Sequence, residues 1–290
     1  MLLSTLHVRL FFFIIASSPL LPSFMLGPSE STRPLLAVCV GNTRTRFGRF
    51  ERAELLESHA LANDDPTLVD ELRTLAVGDN SSAAVVLASV NDPVRDRLIE
   101  SLDKSSGSPA IRLGIDLPIP LKHTLADAST LGQDRALNAL AAYARTEQAC
   151  VVIDVGTAVT VDFVDGTGTF HGGAIAPGVR MMLCALNEHT AALPEVAFDP
   201  RPLAEGDSPF GKDTPEAMLK GAAAAVRGMV RELIERYAQF YEAYPQIIAT
   251  GGDALTLFDD GDLVEHIVPD LQLLGVHAAV ADAVNADPVE

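Results

Sequence analysis

Two short segments of the sequence have the layout of a phosphate-binding turn. Residues 38–43 and 153–158 each run from an apolar strand into a tight glycine turn, at Gly41 or Gly156, flanked by hydroxyl or amide side chains. Glycine lets backbone N–H groups approach a phosphate closely, and Thr or Asn adds side-chain donors. The alternative is two unrelated β-turns, in which Gly and Asn are common. The repeat, about one domain length apart, predicts two similar lobes with a cleft between them, and Thr250-Gly251-Gly252 adds a third loop.

Two carboxylates could serve such a cleft. Asp134 lies in the first turn of a helical segment, directly before Arg135. It could simply cap the helix, with Arg135 in a surface ion pair. Alternatively, Asp134 accepts a proton from a substrate hydroxyl while Arg135 holds an anionic group, as phosphoryl transfer requires. Asp154 ends an apolar strand, where a buried carboxylate needs a cation or several donors. Metal coordination and capping of the hairpin N–H groups both stay open for Asp154.

Three arginines alternate along the strand that follows the first turn: Arg44, Arg46 and Arg49. Such residues usually form a solvated face. Because they lie beside a predicted phosphate loop in an acidic protein, we expect one of them to reach the phosphates.

The elements that must position these residues are apolar strands alternating with helical segments, which is typical of an α/β fold. Strands are predicted at 35–40, 44–50, 83–90, 111–119, 150–154, 159–164, 172–175 and 246–249. Helices are predicted at 94–102, 132–144, 179–190 and 214–244, the last with a break near Gly221 and Gly228.

The composition excludes some classes of partner. The 290 residues include 21 Lys+Arg against 39 Asp+Glu, a net charge of −18, so no diffuse positive field attracts nucleic acid or an anionic membrane. A hydrophobic fraction of 48% is that of a packed globular protein. Cys39, Cys150 and Cys184 are widely spaced without a zinc pattern, which indicates free thiols in a reducing compartment.

The first 26 residues have the order of a secretory signal, with His7 and Arg9 before a short apolar run and small residues after it. The competing interpretation is an upstream start codon, with Met25 beginning the protein. The second is favoured because the rest of the chain looks intracellular, so a cytoplasmic location is expected. The predicted division is an N-terminal extension at 1–33, an N-terminal lobe at 34–149 and a C-terminal lobe at 150–290.

From about residue 35 to residue 276 the chain resembles the type III pantothenate kinase family. The resemblance is carried by several segments in one order, each weak alone and specific together. They are GNTRTR at 41–46, GQDR at 132–135, DVGTAVTVD at 154–162, GGAIAPG at 172–178, TAALP at 190–194, GKDT at 211–214 and TGGD at 250–253.

The resemblance implies two similar actin-like (ribonuclease-H-like) domains with an interdomain nucleotide cleft, in a homodimer. It also implies ATP-dependent phosphorylation of pantothenate to 4′-phosphopantothenate, the first step of coenzyme A biosynthesis. The implied cofactors are ATP, Mg²⁺ and a monovalent cation, K⁺ or NH₄⁺. The partners are then small-molecule substrates, with neither nucleic acid nor membrane.

The family's site residues carry over onto matching positions of this sequence. By that likeness Asp134 is the base that takes the proton of the pantothenate hydroxyl, and Asp154 holds the monovalent cation. ATP would contact Thr157 and the first loop, which consists of Cys39, Val40, Gly41, Asn42, Thr43, Arg44, Thr45 and Arg46. Pantothenate would contact Gly132, Gln133, Asp134, Arg135 and Thr214.

Two departures from the family pattern affect the expectation. The family has Asp where this chain has Cys39, and a thiol is a poor ligand for a hard cation such as Mg²⁺. The family also often supplies a Tyr to the pantothenate pocket, but no Tyr precedes Tyr143 here. The alternative function is therefore a catalytically impaired, nucleotide-binding regulatory or accessory dimer. Another kinase or phosphatase of the same fold is a third interpretation.

Overall fold

The computed structural model describes residues 33–78, 82–106, 109–198, 208–259 and 261–286. The signal-like segment 1–26 and, apart from Arg33, the predicted extension 1–33 lie outside the described residues. The strands are β1 Leu35–Val40, β2 Arg44–Glu51, β3 Glu54–Ala62, β4 Ala84–Ser89, β5 Ile111–Arg112, β6 Lys122–His123, β7 Cys150–Val155, β8 Ala158–Val164, β9 Thr169–Pro177, β10 Gln246–Thr250 and β11 His266–Ile267. The helices are α1 Leu68–Val77, α2 Asp92–Ser106, α3 Gln133–Thr146, α4 Val179–Glu188, α5 Thr214–Tyr241, α6 Ala254–Phe258 and α7 Leu271–Ala286.

The strands form two sheets of the same design. The first has the order β3-β2-β1-β4-β5, in which β1 to β3 are antiparallel neighbours and β4 and β5 run parallel to β1. The second has the order β11-β10-β7-β8-β9-β6, in which β7 to β9 are antiparallel and β10 and β11 run parallel to β7. The expectation of two similar α/β lobes, each opening on a glycine hairpin, is confirmed.

Helices α3 and α7 form an inner layer between the two sheets. One core cluster joins Ala37 of β1 to Leu137 of α3 and Val276 of α7. Another joins Val152 of β7 to the opposite part of α3 and to the start of α7. Helices α1 and α2 cover the other face of the first sheet, whereas α4 and α5 cover that of the second. Side chains at alternate positions of β1 and β7 therefore point toward α3 from opposite sides.

The inner helices approach each other closely at one glycine. A Cβ atom on Gly275 of α7 would lie 2.2 Å from the carbonyl oxygen of Leu137 in α3. Only glycine allows this approach.

Most predicted elements are present, but some differ and others were not predicted. The strand predicted at 111–119 ends after Arg112, because Gly114 (φ +77°) turns the chain and Asp116 accepts hydrogen bonds from Arg112. The predicted break in α5 is absent: the helix is continuous through Gly221 and Gly228, and a Cβ at either position would meet no atom within 4 Å. Strands β3, β6 and β11 and helices α1, α6 and α7 were not predicted. No helix among the described residues is long and apolar enough to cross a membrane.

Candidate active site

The first strands of the two lobes end at equivalent residues that face a common point. Cys39 of β1 pairs in register with Arg46 of the returning strand, and Asp154 of β7 pairs with Thr160 of its returning strand. Cys39 packs in the same core cluster as Leu137 of α3, and Asn138 of α3 donates to Asp154. Burial is the main cause of the raised pKa of both Cys39 and Asp154, and the charge of Asp134 in the first turn of α3 adds to it in each case. Three predicted site residues from distant parts of the chain therefore meet at the N-terminus of α3.

The two glycine turns touch each other across the lobes. The N–H of Gly41 donates to the carbonyl of Arg44 at 2.9 Å, and the N–H of Gly156 donates to that of Ala158 at 3.0 Å, which closes each turn. The hydroxyl oxygens of Thr43 and Thr157 are 3.3 Å apart. Both threonines are exposed, as is Asn42 beside them. Donors suited to an anion therefore gather at one mouth, beside the group formed by Cys39, Asp134 and Asp154.

Several side chains of the predicted ATP loop are buried or hydrogen-bonded within the protein and cannot contact a ligand. Cys39, Val40 and Thr45 are buried, so only their main chains could meet a ligand. Thr45 donates to Asn63 Oδ1 at 2.8 Å, and the Asn63 amide donates to the carbonyls of Gly41 (2.9 Å) and Asn42 (3.1 Å). The amide of Asn63, to which the sequence assigned no role, therefore shapes the first turn.

The three arginines of β2 have three different environments. Arg44 is exposed beside the turn. Arg46 donates to Asp270, directly before α7, at 2.9 Å. Arg49 points to the opposite face, where it is buried and donates to the Leu75 carbonyl at 2.7 Å. Arg49 is thus a structural residue, and Arg44 alone of the three has neither a described ion pair nor burial to hold it.

Asp134 is held over the start of its own helix. Its Oδ1 accepts the backbone N–H of Arg135 at 2.8 Å and lies so close to Gly132 that a Cβ there would be 2.4 Å away. Gln133, between them, donates to the Leu113 carbonyl at 2.8 Å and accepts the Ser89 N–H at 2.9 Å. The side chain of Gln133 therefore joins α3 to the first sheet, and a substrate contact from this residue would use its main chain.

Arg135 reaches in the other direction, into the second lobe. Its guanidinium forms a buried ion pair with Asp162 of β8 and lies 5.6 Å from the ring centroid of Phe170. The surface ion pair considered from the sequence is therefore wrong, because the partner is a core carboxylate. Asp162 was missed, although an acidic residue within the apolar run of β8 is a signal that could have found it.

Asp154 has the environment of a cation ligand. Burial, and then the charge of Asp134, raise its pKa to about 6. Its Oδ2 accepts a hydrogen bond from Asn138 Nδ2 at 2.8 Å. In the part of the chain that the structure describes, no hairpin N–H donates to Asp154, so the capping that the sequence left open is not observed there. Among the described residues, Asn138 Oδ1 is buried without a hydrogen-bond partner. A carboxylate and an unpartnered amide oxygen fit a monovalent cation such as K⁺.

Cys39 does not fit Mg²⁺. Burial raises the pKa of its thiol far above the usual range, so that it stays protonated. A neutral thiol is a poor ligand for this hard cation. No group of three or more His, Cys, Asp or Glu side chains in the described part of the chain could hold a metal ion.

The third predicted loop adjoins the same point. Thr250 of β10 pairs in register with Asp154, and Gly251 (φ +95°) lies so close that a Cβ would be 2.6 Å from Asp154 Oδ1. Asp253 is buried and accepts from Arg180 in the first turn of α4. This loop closes one wall of the Asp154 site, and Arg180 is a cation there that the sequence did not indicate.

Thr214 is the one predicted site residue outside this group. It is exposed at the first position of α5, where Asp213 caps the helix by accepting the N–H of Glu216 at 2.8 Å. Within the described ranges, its side chain has no hydrogen bond to the residues around Asp134.

A family model and the most similar curated sequences agree on one family. The family model described as type III pantothenate kinase matches residues 35–236. A type III pantothenate kinase from Akkermansia muciniphila is 33% identical over 241 residues, covering 82% of this chain and 94% of the relative. Another, from Desulfatibacillum aliphaticivorans, is 31% identical over 251 residues, covering 83% and 96%. A solved structure described as a Baf family transcriptional activator from Campylobacter jejuni shares the fold. It has a TM-score of 0.54 and 20% identity, and the alignment covers 86% of this chain and 99% of that one.

Proposed function

The chain belongs to the type III pantothenate kinase family, and on that premise we propose that it phosphorylates pantothenate to 4′-phosphopantothenate with ATP, the first step of coenzyme A biosynthesis. The observation that carries this proposal is that the two glycine turns meet, with the Thr43 and Thr157 hydroxyls 3.3 Å apart, beside the helix α3. Asp134 lies in the first turn of this helix, and Asn138 one turn later donates to Asp154. Asp134 therefore lies at a cleft to which both lobes contribute residues.

ATP binds with its phosphates at the two turns. Asn42, Thr43 and Thr157 supply side-chain donors, and the main chain of residues 39–46 supplies N–H groups. Arg44 is the exposed arginine that reaches the phosphates. Arg46 supports the loop through its ion pair with Asp270 rather than by direct contact.

Asp134 acts as the general base for the acceptor. The primary hydroxyl of pantothenate gives its proton to the carboxylate while its oxygen attacks the γ-phosphorus. A new oxygen–phosphorus bond forms as the bond from the γ-phosphorus to the bridging oxygen breaks, and ADP leaves. The N-terminal end of α3 favours the negative charge that Asp134 needs before the reaction.

Pantothenate binds along the first turn of α3. Gly132 and Gln133 contribute main-chain groups, and Arg135 contributes a positive charge for the pantothenate carboxylate. Thr214 contacts pantothenate from the start of α5.

Asp154 and Asn138 hold the monovalent cation, K⁺ or NH₄⁺, which offsets the negative charge that collects at the mouth. Mg²⁺ is expected as the companion of ATP. No residue at the end of β1 fits that ion, so no step of the mechanism is assigned to it.

We propose a homodimer in the cytoplasm. Large apolar side chains stay exposed on the second lobe, including Ile175 (63% exposed), Met181 (44%) and Phe210 (69%). Exposed apolar side chains of this kind are suited to contact with a second copy, although Leu56, Val77 and Ile115 of the first lobe are exposed as well.

A coupled assay with ATP, pantothenate, Mg²⁺ and K⁺ tests the function, repeated with Na⁺ in place of K⁺. We expect turnover that falls when Na⁺ replaces K⁺, and no turnover by Asp134→Ala, which controls for contaminating kinases. A folded protein that binds ATP without transferring phosphate would instead support the impaired, regulatory alternative, which no finding favours. Turnover with other alcohols but not with pantothenate would point to a different kinase of this fold.

A further inference from the structure

Asp162 is a buried carboxylate in the middle of the second sheet. It lies on β8, 2% exposed, with its side chain on the face that packs against α3. A charge in such a place is costly unless it is paired and hydrogen-bonded. Its partner is Arg135, the residue that follows Asp134.

The pairing uses only part of the guanidinium. Nε of Arg135 donates to both oxygens of Asp162, at 3.2 and 3.0 Å, and Nη2 donates to Oδ1. In the described part of the chain no hydrogen bond is made by Nη1. Asp162 thus fixes the plane of the guanidinium while one nitrogen with two N–H donors stays available.

The neighbouring strand leaves space for this arrangement. Gly173 of β9 lies opposite Asp162, and a Cβ on Gly173 would be 2.4 Å from Asp162 Oδ1. The Phe170 ring adds a cation–π contact to Arg135. The guanidinium is therefore held by a carboxylate and a ring of the second lobe, although Arg135 belongs to the helix between the lobes.

We propose that Asp162 is a positioning residue for the acceptor substrate: it fixes Arg135 so that Nη1 binds the carboxylate of pantothenate. The inference rests on the proposed function. Because the guanidinium is oriented before the substrate arrives, binding does not have to order a long side chain. The carboxylate end of the substrate is then fixed while its hydroxyl end meets Asp134 in the same helical turn.

The test is Asp162→Asn, which keeps the shape and removes the charge that orients Arg135. We expect its KM for pantothenate to rise about 10- to 100-fold, the effect of one hydrogen bond between charged groups. We expect kcat and the KM for ATP to change less than about threefold, because neither phosphates nor base are touched. With the alcohol analogue of pantothenate, in which CH₂OH replaces the carboxylate, wild type and variant should have equal KM.

Two further variants separate positioning from stability. Arg135→Gln should raise the KM for pantothenate by a similar factor, and the double variant should be no worse than Arg135→Gln alone. If Asp162→Asn does not fold, Asp162→Glu keeps the charge but displaces the carboxylate, and a smaller rise in KM is expected. The matched control is Asp165→Asn in the turn after β8, where Asp165 accepts from Thr167, Thr169 and His171. This control should lower the melting temperature without changing KM.

The outcomes distinguish the two claims. If wild type does not turn over pantothenate, the proposed function fails and this inference fails with it. If wild type is active and the Asp162 variants lose melting temperature but keep the wild-type KM, Asp162 is only structural and this inference alone is overturned. Equal rises in KM for pantothenate and its alcohol analogue would also overturn it, because Arg135 would then not recognise the carboxylate.

Discussion

The hairpins of the two lobes have the same backbone and opposite electrostatics. At the end of β1 the inward residue is Cys39, whose thiol stays neutral because burial raises its pKa. Its register partner, Arg46, is a cation. At the end of β7 the inward residue is Asp154, a carboxylate with its pKa raised to about 6, and its register partner is the uncharged Thr160.

The proposed function gives the two hairpins different roles. Phosphate binding by turns depends on main-chain N–H groups, so both lobes can supply it whatever their side chains are. The proposed cation would need a carboxylate at the end of the first strand, and of the two described hairpins the one that begins with β7 has it, at Asp154. The common element is Asp134, which belongs to neither hairpin and lies between them.

The largest effect on activity is expected from a substitution at Asp134, which lies between the two hairpins. Asp134→Asn should lower kcat by about 10²- to 10⁴-fold, because no general base is left while both hairpins stay intact. The melting temperature should stay within a few degrees of wild type. Turnover close to that of wild type would show that Asp134 is only a helix-capping residue.

The charged hairpin can be tested through its pH dependence. In the folded protein the pKa of Asp154 is about 6, above the roughly 3.9 of an unfolded Asp, so folding favours its protonated form. The group therefore costs stability as pH rises from about 4 to 6, and the full cost, on the order of 1–3 kcal/mol, remains above pH 6. Asp154→Asn should thus gain stability relative to wild type as pH rises through this range.

Thermal unfolding in tetramethylammonium buffer measures this difference. Addition of K⁺ should raise the melting temperature of wild type and not that of Asp154→Asn. A difference between the two proteins that is independent of pH would contradict the assigned environment of Asp154.

A substitution at Cys39 can give the β1 hairpin the carboxylate that Asp154 gives the β7 hairpin. Cys39→Asp places a carboxylate opposite Asp154 and beside Asp134, so like-charge repulsion should lower stability at pH 8 by about 1–2 kcal/mol. Mg²⁺ should offset this loss, because a hard cation gains an oxygen ligand. Cys39→Asn is the matched control without charge. If Mg²⁺ has the same effect on the melting temperature of both variants, β1 does not face the cation site.

The smallest effect is expected from the two turn hydroxyls. Thr43→Val and Thr157→Val each remove one donor and the 3.3 Å contact between the lobes. Each should raise the KM for ATP by about three- to tenfold. Because the two hydroxyls interact, the double variant should show less than the product of the single effects. Fully multiplicative effects would mean that the turns act independently.

Local patterns predicted much of the fold. The strands β1, β7 and β10 and the helices α3 and α4 were predicted within a few residues, because alternation of apolar runs with turn residues is a local signal. Strand β3 was missed because it is largely exposed and has no apolar alternation. Helix α7 was missed because its apolar residues lie on all sides, as suits a helix between two sheets.

The candidate site was predicted in part for the same reason. The glycine turns, Asp134 and Asp154 stand out by their position at the ends of elements. Asn63 and Asn138 do not, because their roles depend on partners that lie about 20 residues away along the chain. The partners of Arg46 and Arg49 also could not be predicted from the sequence. The alternation of side chains along a strand shows which residues share a face of the sheet, but not which element packs on that face.

The sequence by itself determined two glycine hairpins on matching strands, an acid at the start of a helix and an overall charge unsuited to nucleic acid. The hairpins and the helix start depend on the steric preferences of neighbouring residues, and the charge depends on composition alone. Only the tertiary structure decided that α3 and α7 lie between the sheets, that Arg135 pairs with Asp162 and that Arg46 pairs with Asp270. These contacts join distant parts of the chain and form only when both sheets pack against the same two helices.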